Sequence, residues 1–279
     1  MKAKVLLLVG IVALGLLVAQ AIAITGGQVD EDNTYSNVGA VVVVPEDGSP
    51  PFAVCTGTLI HPRVFLTAGH ATILSEDSTV PAYISFGKDA LDPSTWHEGL
   101  GAITHPDFHP ANFKDTGNTP HYNDVGVVIL KEPIYDVPLA ELPYEGFLDD
   151  LKSDHLLRVP GQGGVPFIVA GYGSTLDWPP PEIVPGDGRR RFGYSDYLAL
   201  TRAWLFTLMN PATGNDGTGY GDSGGPAFWV DTDGTLVLVA VTSRGDPNCV
   251  ATNIAWRVDI PETLDFIDWV INTVLPSLP

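Results

Sequence analysis

Short apolar segments rich in β-branched residues return at close intervals along this chain, and they limit its fold more than any other feature. They lie at 38–44, 54–60, 64–67, 82–86, 125–130, 167–170, 203–207, 227–230 and 236–242. Gly, Pro, Asn and Asp, the residues that favour turns, separate them. Such segments are short for helices, and β-branched side chains pack well on a pleated surface. Many short strands joined by turns predict an all-β sandwich or barrel. The 24 prolines and 30 glycines suit that loop-rich plan. One helix is expected near the end, where Leu264, Ile267, Ile271 and Val274 share a face. Pro261 stands where that helix can begin and Pro276 where it should stop. The segment 138–164 reads as a crossover between two halves, and 176–191, with prolines at 179–181, as a long loop.

The first residues follow another pattern. Lys2 and Lys4 form a basic head, an apolar run covers 5–19, and Ala21-Ile22-Ala23 has the small-x-small form of a cleavage site. Together they predict a secretory signal peptide over 1–23. The apolar run is short for a membrane span, which needs about 20 residues; an uncleaved anchor is the alternative. The chain from Ile24 is expected to be a soluble monomer, extracellular or periplasmic, with no membrane attachment. Two of the 14 Lys and Arg lie in this leader and none of the 33 Asp and Glu do, so 33 acidic face 12 basic side chains beyond it. Phosphate backbones repel such a surface, which argues against a nucleic-acid partner. No metal-ligand cluster, phosphate loop or cofactor motif is present, so no metal or cofactor is expected.

The strongest chemical signal is Gly221-Asp222-Ser223-Gly224-Gly225-Pro226. Glycines around a serine let the backbone approach a ligand closely and turn N–H groups toward a developing oxyanion. The Gly-x-Ser-x-Gly core also occurs in the nucleophile elbow of α/β-hydrolases, where the histidine follows the serine. All 7 histidines here precede Ser223, so that order fails. The subtilisin order needs an aspartate ahead of the histidine; Asp30 and Asp32 qualify by position only. The second signal is Leu66-Thr67-Ala68-Gly69-His70, a strand-like run ending at a histidine, whose pKa near neutrality suits a general base. His61, His97, His105, His109, His121 and His155 read as surface or core residues. The third is Asn123-Asp124-Val125, an acid opening an apolar strand; a carboxylate there needs a partner, and a histidine N–H is a suitable one. The competing reading of Asp124 is a turn cap.

Taken in order, His70, Asp124 and Ser223 resemble the triad of the chymotrypsin/trypsin family of serine proteases. The family's TAAHC, NDIALLKL and GDSGGP stretches are similar to residues 67–71, 123–131 and 221–226. Cys55-Thr56-Gly57, Ala170-Gly171-Tyr172-Gly173 and Val241-Thr242-Ser243-Arg244-Gly245 resemble further family segments. The resemblance implies two six-stranded antiparallel β-barrels, at about 24–140 and 160–260, with a helix at about 262–275 and a cleft between the barrels. It implies a secreted serine endopeptidase acting on proteins or peptides. Ser223 would be the nucleophile, His70 the base and Asp124 its orienting partner, with Ser243 supporting Asp124. The N–H groups of Gly221 and Ser223 would hold the oxyanion. Gly217, Thr218, Tyr220, Ser243, Gly245 and Asn253 would bind substrate, with Gly217 at the floor of the primary pocket. A neutral pocket is expected; the alternative puts Asp216 there and selects basic residues. A catalytically silent binding relative and a narrow processing protease or esterase are the other functional readings.

The resemblance also implies an activation switch. Cleavage after Ala23 would leave Ile24-Thr25-Gly26-Gly27 at the new N-terminus, and the freed amine of Ile24 would pair with Asp222. No propeptide separates Ala23 from Ile24, so signal removal itself would mature the protein. The pattern departs from the family at Ala71 and Gly219, where cysteines are usual. Each cysteine thus lacks its partner, and Cys55 and Cys249 are expected to be free. The run Arg189-Arg190-Arg191 is read as a solvated loop.

Overall fold

The computed structural model describes residues 24–76, 82–109, 122–177 and 182–278. The signal-peptide reading at 1–23, His121 and the prolines at 179–181 lie outside the described residues. After a two-residue strand, β1 (Gln28–Val29), the chain builds β2 (Val38–Val43), β3 (Phe52–His61), β4 (Val64–Thr67), β5 (Ala82–Ser85), β6 (Trp96–Thr104) and β7 (Gly126–Leu130). These six close into an antiparallel barrel in the order β2-β3-β4-β7-β6-β5. Its centre is filled by apolar residues of the strands, among them Val41, Leu59, Phe65, Ile84 and Leu130. A helix, α1 (Gly69–Glu76), leaves the end of β4.

A second helix, α2 (Phe147–Ser153), lies within the connecting segment and buries Phe147, Leu148 and Leu151. The second half then adds β8 (Phe167–Gly171), a ribbon of β9 (Thr175–Asp177) and β10 (Glu182–Val184), then β11 (Arg191–Ser195), β12 (Tyr197–Leu200), β13 (Trp204–Leu208), β14 (Pro226–Val230), β15 (Leu236–Gly245) and β16 (Thr252–Arg257). Apart from the ribbon, these strands and β1 form one antiparallel sheet ordered β1-β11-β8-β14-β15-β16-β13-β12. Only Asp196 separates β11 from β12. The two therefore act as halves of one broken strand, and the sheet curls round to meet itself there. The architecture is all-β with a closing helix, as expected from the sequence, and its two halves are a closed six-stranded barrel and, in place of a second six-stranded barrel, a half-barrel sheet.

Each end of the described chain docks on the opposite half. β1 pairs with β11 of the second sheet, with Gln28 opposite Phe192. The closing helix, α3 (Pro261–Trp269), follows the second sheet but sets the Phe266 ring 5.1 Å from that of His105, just after β6. His105 is held neutral by burial, which lowers its pKa; Nδ1 accepts the Asp107 N–H at 3.1 Å and Nε2 meets the carbonyl of Glu262 at 3.2 Å. One contiguous core spans both halves, from Val38 and Leu66 to Phe228 and Trp256.

Three sequence expectations change in detail. The buried helix face is Thr263, Phe266, Ile267 and Val270, with Leu264 and Ile271 at its margin. A π-turn over Val270–Val274 delays the register by a residue, so Leu275 rather than Val274 is buried, and a 3₁₀ turn carries the chain through Pro276. The segment 176–191 is not all loop, because it contains the ribbon and opens β11. The 189–191 run is solvated only at Arg189: Arg190 is 0% and Arg191 3% exposed. Arg190 Nε donates to Asp30 at 2.9 Å, and its Nη1 donates to the carbonyls of Val38 and Phe86, each at 3.0 Å. Its Nη1 also donates to the Tyr172 hydroxyl and its Nη2 to Asn33. Complete pairing is what lets a guanidinium lie so deep. Among the described residues, no helix is long and apolar enough to cross a membrane.

Candidate active site

The cleft is built where the two halves meet. β4 runs into the first turn of α1, which presents His70. Asp124 stands two residues ahead of β7, and Asn123 before it takes the left-handed conformation at φ 43°. Asn tolerates that region better than most residues. The resulting tight turn, with the Val125 N–H on the Asn123 carbonyl at 2.7 Å, throws Asp124 out of the strand line toward α1.

Asp124 is fully buried and completely engaged. The His70 backbone N–H donates to Oδ1 at 2.8 Å, and Nδ1 lies 2.9 Å from Oδ2 and 3.1 Å from Oδ1. The Ser243 hydroxyl donates to Oδ2 at 2.5 Å. A carboxylate held this way fixes the imidazole with a proton on Nδ1 and leaves Nε2 to accept another. His70 and Ser223 both line a cleft cavity of about 340 Å³, together with Thr218, Tyr220, Ser243 and Gly245.

The loop before Ser223 is shaped by two glycines in the left-handed region, Gly221 at φ 98° and Gly224 at φ 81°. A Cβ on Gly224 would lie 2.0 Å from the Thr67 hydroxyl, so no other residue fits. The N–H groups of Asp222, Gly224 and Gly225 donate to the carbonyls of Gly219, Thr242 and Asp222. Those of Gly221 and Ser223 meet no acceptor among the described residues, which leaves both able to serve an oxyanion. The loop is tied to the first barrel by Thr56, which sequence reasoning missed. Its N–H donates to the Ser223 carbonyl at 2.9 Å, and its hydroxyl donates to the Gly221 carbonyl at 3.0 Å. The Tyr172 N–H donates back to that hydroxyl at 3.2 Å. Nothing in the local sequence distinguishes Thr56 from any other strand threonine.

The substrate-side residues come together only in part. Thr218, Tyr220, Ser243 and Gly245 line the cavity, whereas Gly217 and Asn253 stand behind its wall. The Thr218 hydroxyl meets Asn253 Oδ1 at 2.9 Å, and Gly217 exchanges backbone hydrogen bonds with Thr25 at 2.8 and 3.0 Å. Asp216 is turned away: its Oδ2 accepts the Tyr194 N–H at 2.9 Å, and its Oδ1 lies beside Gly26.

Asp222 is not paired with Ile24 in the uncut chain, where the Ile24 nitrogen is an amide. Its two carboxylate oxygens accept the N–H groups of Gly173 and Gly219, each at 2.8 Å. Burial still outweighs these bonds and pushes its pKa up to about 7, with Arg191 opposing the rise. Ile24 is itself fully buried. Cys55 and Cys249 are both free and buried, and burial raises their thiol pKa values to about 12 and 11. Among the described residues, no group of His, Cys, Asp or Glu could hold a metal ion.

No family model matches the sequence, and no curated protein matches it. Among solved structures, HL collagenase, a chymotrypsin-like serine protease, superimposes with a TM-score of 0.65 at 17% identity. The match covers 89% of this chain and 98% of that one. The chain therefore has the fold of the chymotrypsin-like serine proteases.

Proposed function

We propose that this protein is a secreted serine endopeptidase that hydrolyses peptide bonds through an acyl-enzyme intermediate. The observation that carries the reading is the Asp124 carboxylate clamped between His70 and Ser243, with Ser223 in the same cleft. Ser223 Oγ attacks the scissile carbonyl while His70 Nε2 takes its proton. The negative oxygen of the tetrahedral intermediate settles on the N–H groups of Gly221 and Ser223. His70 then returns the proton to the leaving amine, and water repeats the sequence on the acyl-enzyme. Asp124 holds the tautomer and stabilises the imidazolium.

The reading includes export under the leader at 1–23, action outside the cell or in the periplasm, and no nucleic-acid or membrane partner. It also includes maturation by cleavage after Ala23. Support for maturation comes from Asp222, a buried carboxyl whose pKa is pushed up to about 7, and from the Thr25–Gly217 bridge, which joins the residue after the new terminus to the segment leading into Gly221–Ser223. An ammonium beside Asp222 would compensate the cost of keeping it buried.

The test is a complex peptide library incubated with the protein exported from an expression host, with cuts identified by mass spectrometry. Ser223→Ala runs beside it and should lower kcat by about 10⁶. Cuts that vanish in the variant support the reading. An uncut library, from protein confirmed to begin at Ile24, overturns it in favour of a silent binding protein.

A further inference from the structure

The cavity beside Ser223 is walled on one side by Thr218, Gly219 and Tyr220 and on the other by Ser243, Arg244 and Gly245. Gly245 lines this cavity and Gly217 stands behind it, and neither carries a side chain. The space they leave is already occupied. A Cβ on Gly217 would lie 2.5, 2.6 and 2.8 Å from Cβ, Cγ and Sδ of Met209. A Cβ on Gly245 would lie 2.9 Å from Cε of the same methionine. One thioether chain thus spans from the floor position to the mouth position.

Met209 is also held there. It follows β13 and is completely buried. The Thr218 N–H donates to its Sδ at 3.3 Å, and the Thr218 hydroxyl lies 3.8 Å from it. That hydroxyl is in turn bonded to Asn253, which is fully buried on the strand facing Gly245. Asp216 is bound to the Tyr194 N–H on the other side of the chain, and the carboxylate of Asp246, which lines the cavity, is taken up by the N–H groups of Asn248, Val250, Ala251 and Thr252.

We infer that Met209 fills the primary side-chain pocket from within, so that the enzyme cuts after small uncharged residues such as alanine, serine or glycine. The inference rests on the peptidase reading above. A long aromatic or basic side chain would have to displace a packed, hydrogen-bonded thioether, and the Asp246 carboxylate at the cavity is already engaged by backbone N–H groups. Overpacking of this kind is strongly unfavourable, whereas a methyl group needs only the cavity that remains.

The test separates the two readings. The full chain, exported from an expression host, is first titrated with methanesulfonyl fluoride, which is too small to need the pocket. Labelling of Ser223 shows that the nucleophile is active; no labelling overturns the peptidase reading and the pocket assignment with it. Peptides differing only in the residue before the cut are then compared. Alanine should exceed phenylalanine and arginine by about 100-fold in kcat/KM. Met209→Ala should raise kcat/KM for leucine or phenylalanine, relative to alanine, by about 10-fold or more. Labelled enzyme that cuts after phenylalanine or arginine as well as after alanine overturns the inference alone. So does a Met209→Ala profile identical to wild type. If Met209→Ala does not fold, the wild-type profile decides the matter.

Discussion

The Ser243 hydroxyl donates a 2.5 Å hydrogen bond to the same oxygen of Asp124 that faces His70 Nδ1. Ser243 comes from β15 of the second sheet, whereas Asp124 and His70 come from the first barrel. The carboxylate is thus oriented from both sides of the cleft. Ser243→Ala should lower kcat about 10-fold and leave KM nearly unchanged, because the imidazole loses alignment and the substrate keeps its contacts. Asp124→Asn should cost about 10⁴ in kcat by presenting the wrong hydrogen-bonding partner to Nδ1. Steady-state kinetics on one peptide checks both.

Thr56→Val keeps the shape of the strand but removes the hydroxyl shared by Gly221 and Tyr172. A half-buried carbonyl and a buried N–H are then left unpaired, which should cost about 1–3 kcal/mol in urea unfolding. The oxyanion loop loses its tie to the first barrel, so kcat should fall about 10-fold. Thr56→Ser should restore both, which a general loss of packing would not allow.

Asp222 makes the uncut chain sensitive to pH. Its folded pKa of about 7 lies above the ordinary carboxyl value of 3.8, so between these values the folded state holds a proton that the unfolded state has lost. Stability is full below about pH 4 and falls as pH rises toward 7, by a few kcal/mol at most. Besides the Gly173 and Gly219 N–H groups, Arg191 acts on it electrostatically and the Cys249 thiol feels its charge. Urea midpoints of the uncut chain should therefore drop across this window, and Asp222→Asn should flatten the slope. Chain beginning at Ile24 should lose the dependence as well, if the freed amine reaches Asp222.

Arg190→Met should be among the most destabilising single changes away from the cleft. It leaves Asp30, 1% exposed, without its guanidinium, and removes the Nη1 donor from the carbonyls of Val38 and Phe86. Removing one partner of such a buried pair costs about 3–5 kcal/mol. Chemical denaturation measures it, and adding Asp30→Asn to Arg190→Met should recover part of the loss.

What the sequence made legible follows from how each residue announces itself. Strands such as Val64–Thr67 and Gly126–Leu130 are buried throughout, and their unbroken apolar runs reveal them. Trp96–Thr104 escaped because its side chains are partly or fully exposed and glycines interrupt it. Arg191–Ser195 escaped because it opens with a buried cation that reads as surface. Within the site, His70, Asp124 and Ser223 were visible through the small residues that shape their turns. Thr56 and Met209 were not. One acts through a backbone contact across the cleft and the other through the space it fills, and neither leaves a local signature.

The crossed docking of the chain ends has a consequence for synthesis on the ribosome. β1 emerges early but must wait for β11, and the ring of His105 must wait for Phe266. The first barrel can therefore close its strand ladder while two of its surfaces remain bare until the last described residues are made. Domains commonly fold as units as they emerge; here the halves should be mutually dependent. Fragments divided in the connecting segment should each fail to fold alone, yet recombine when mixed.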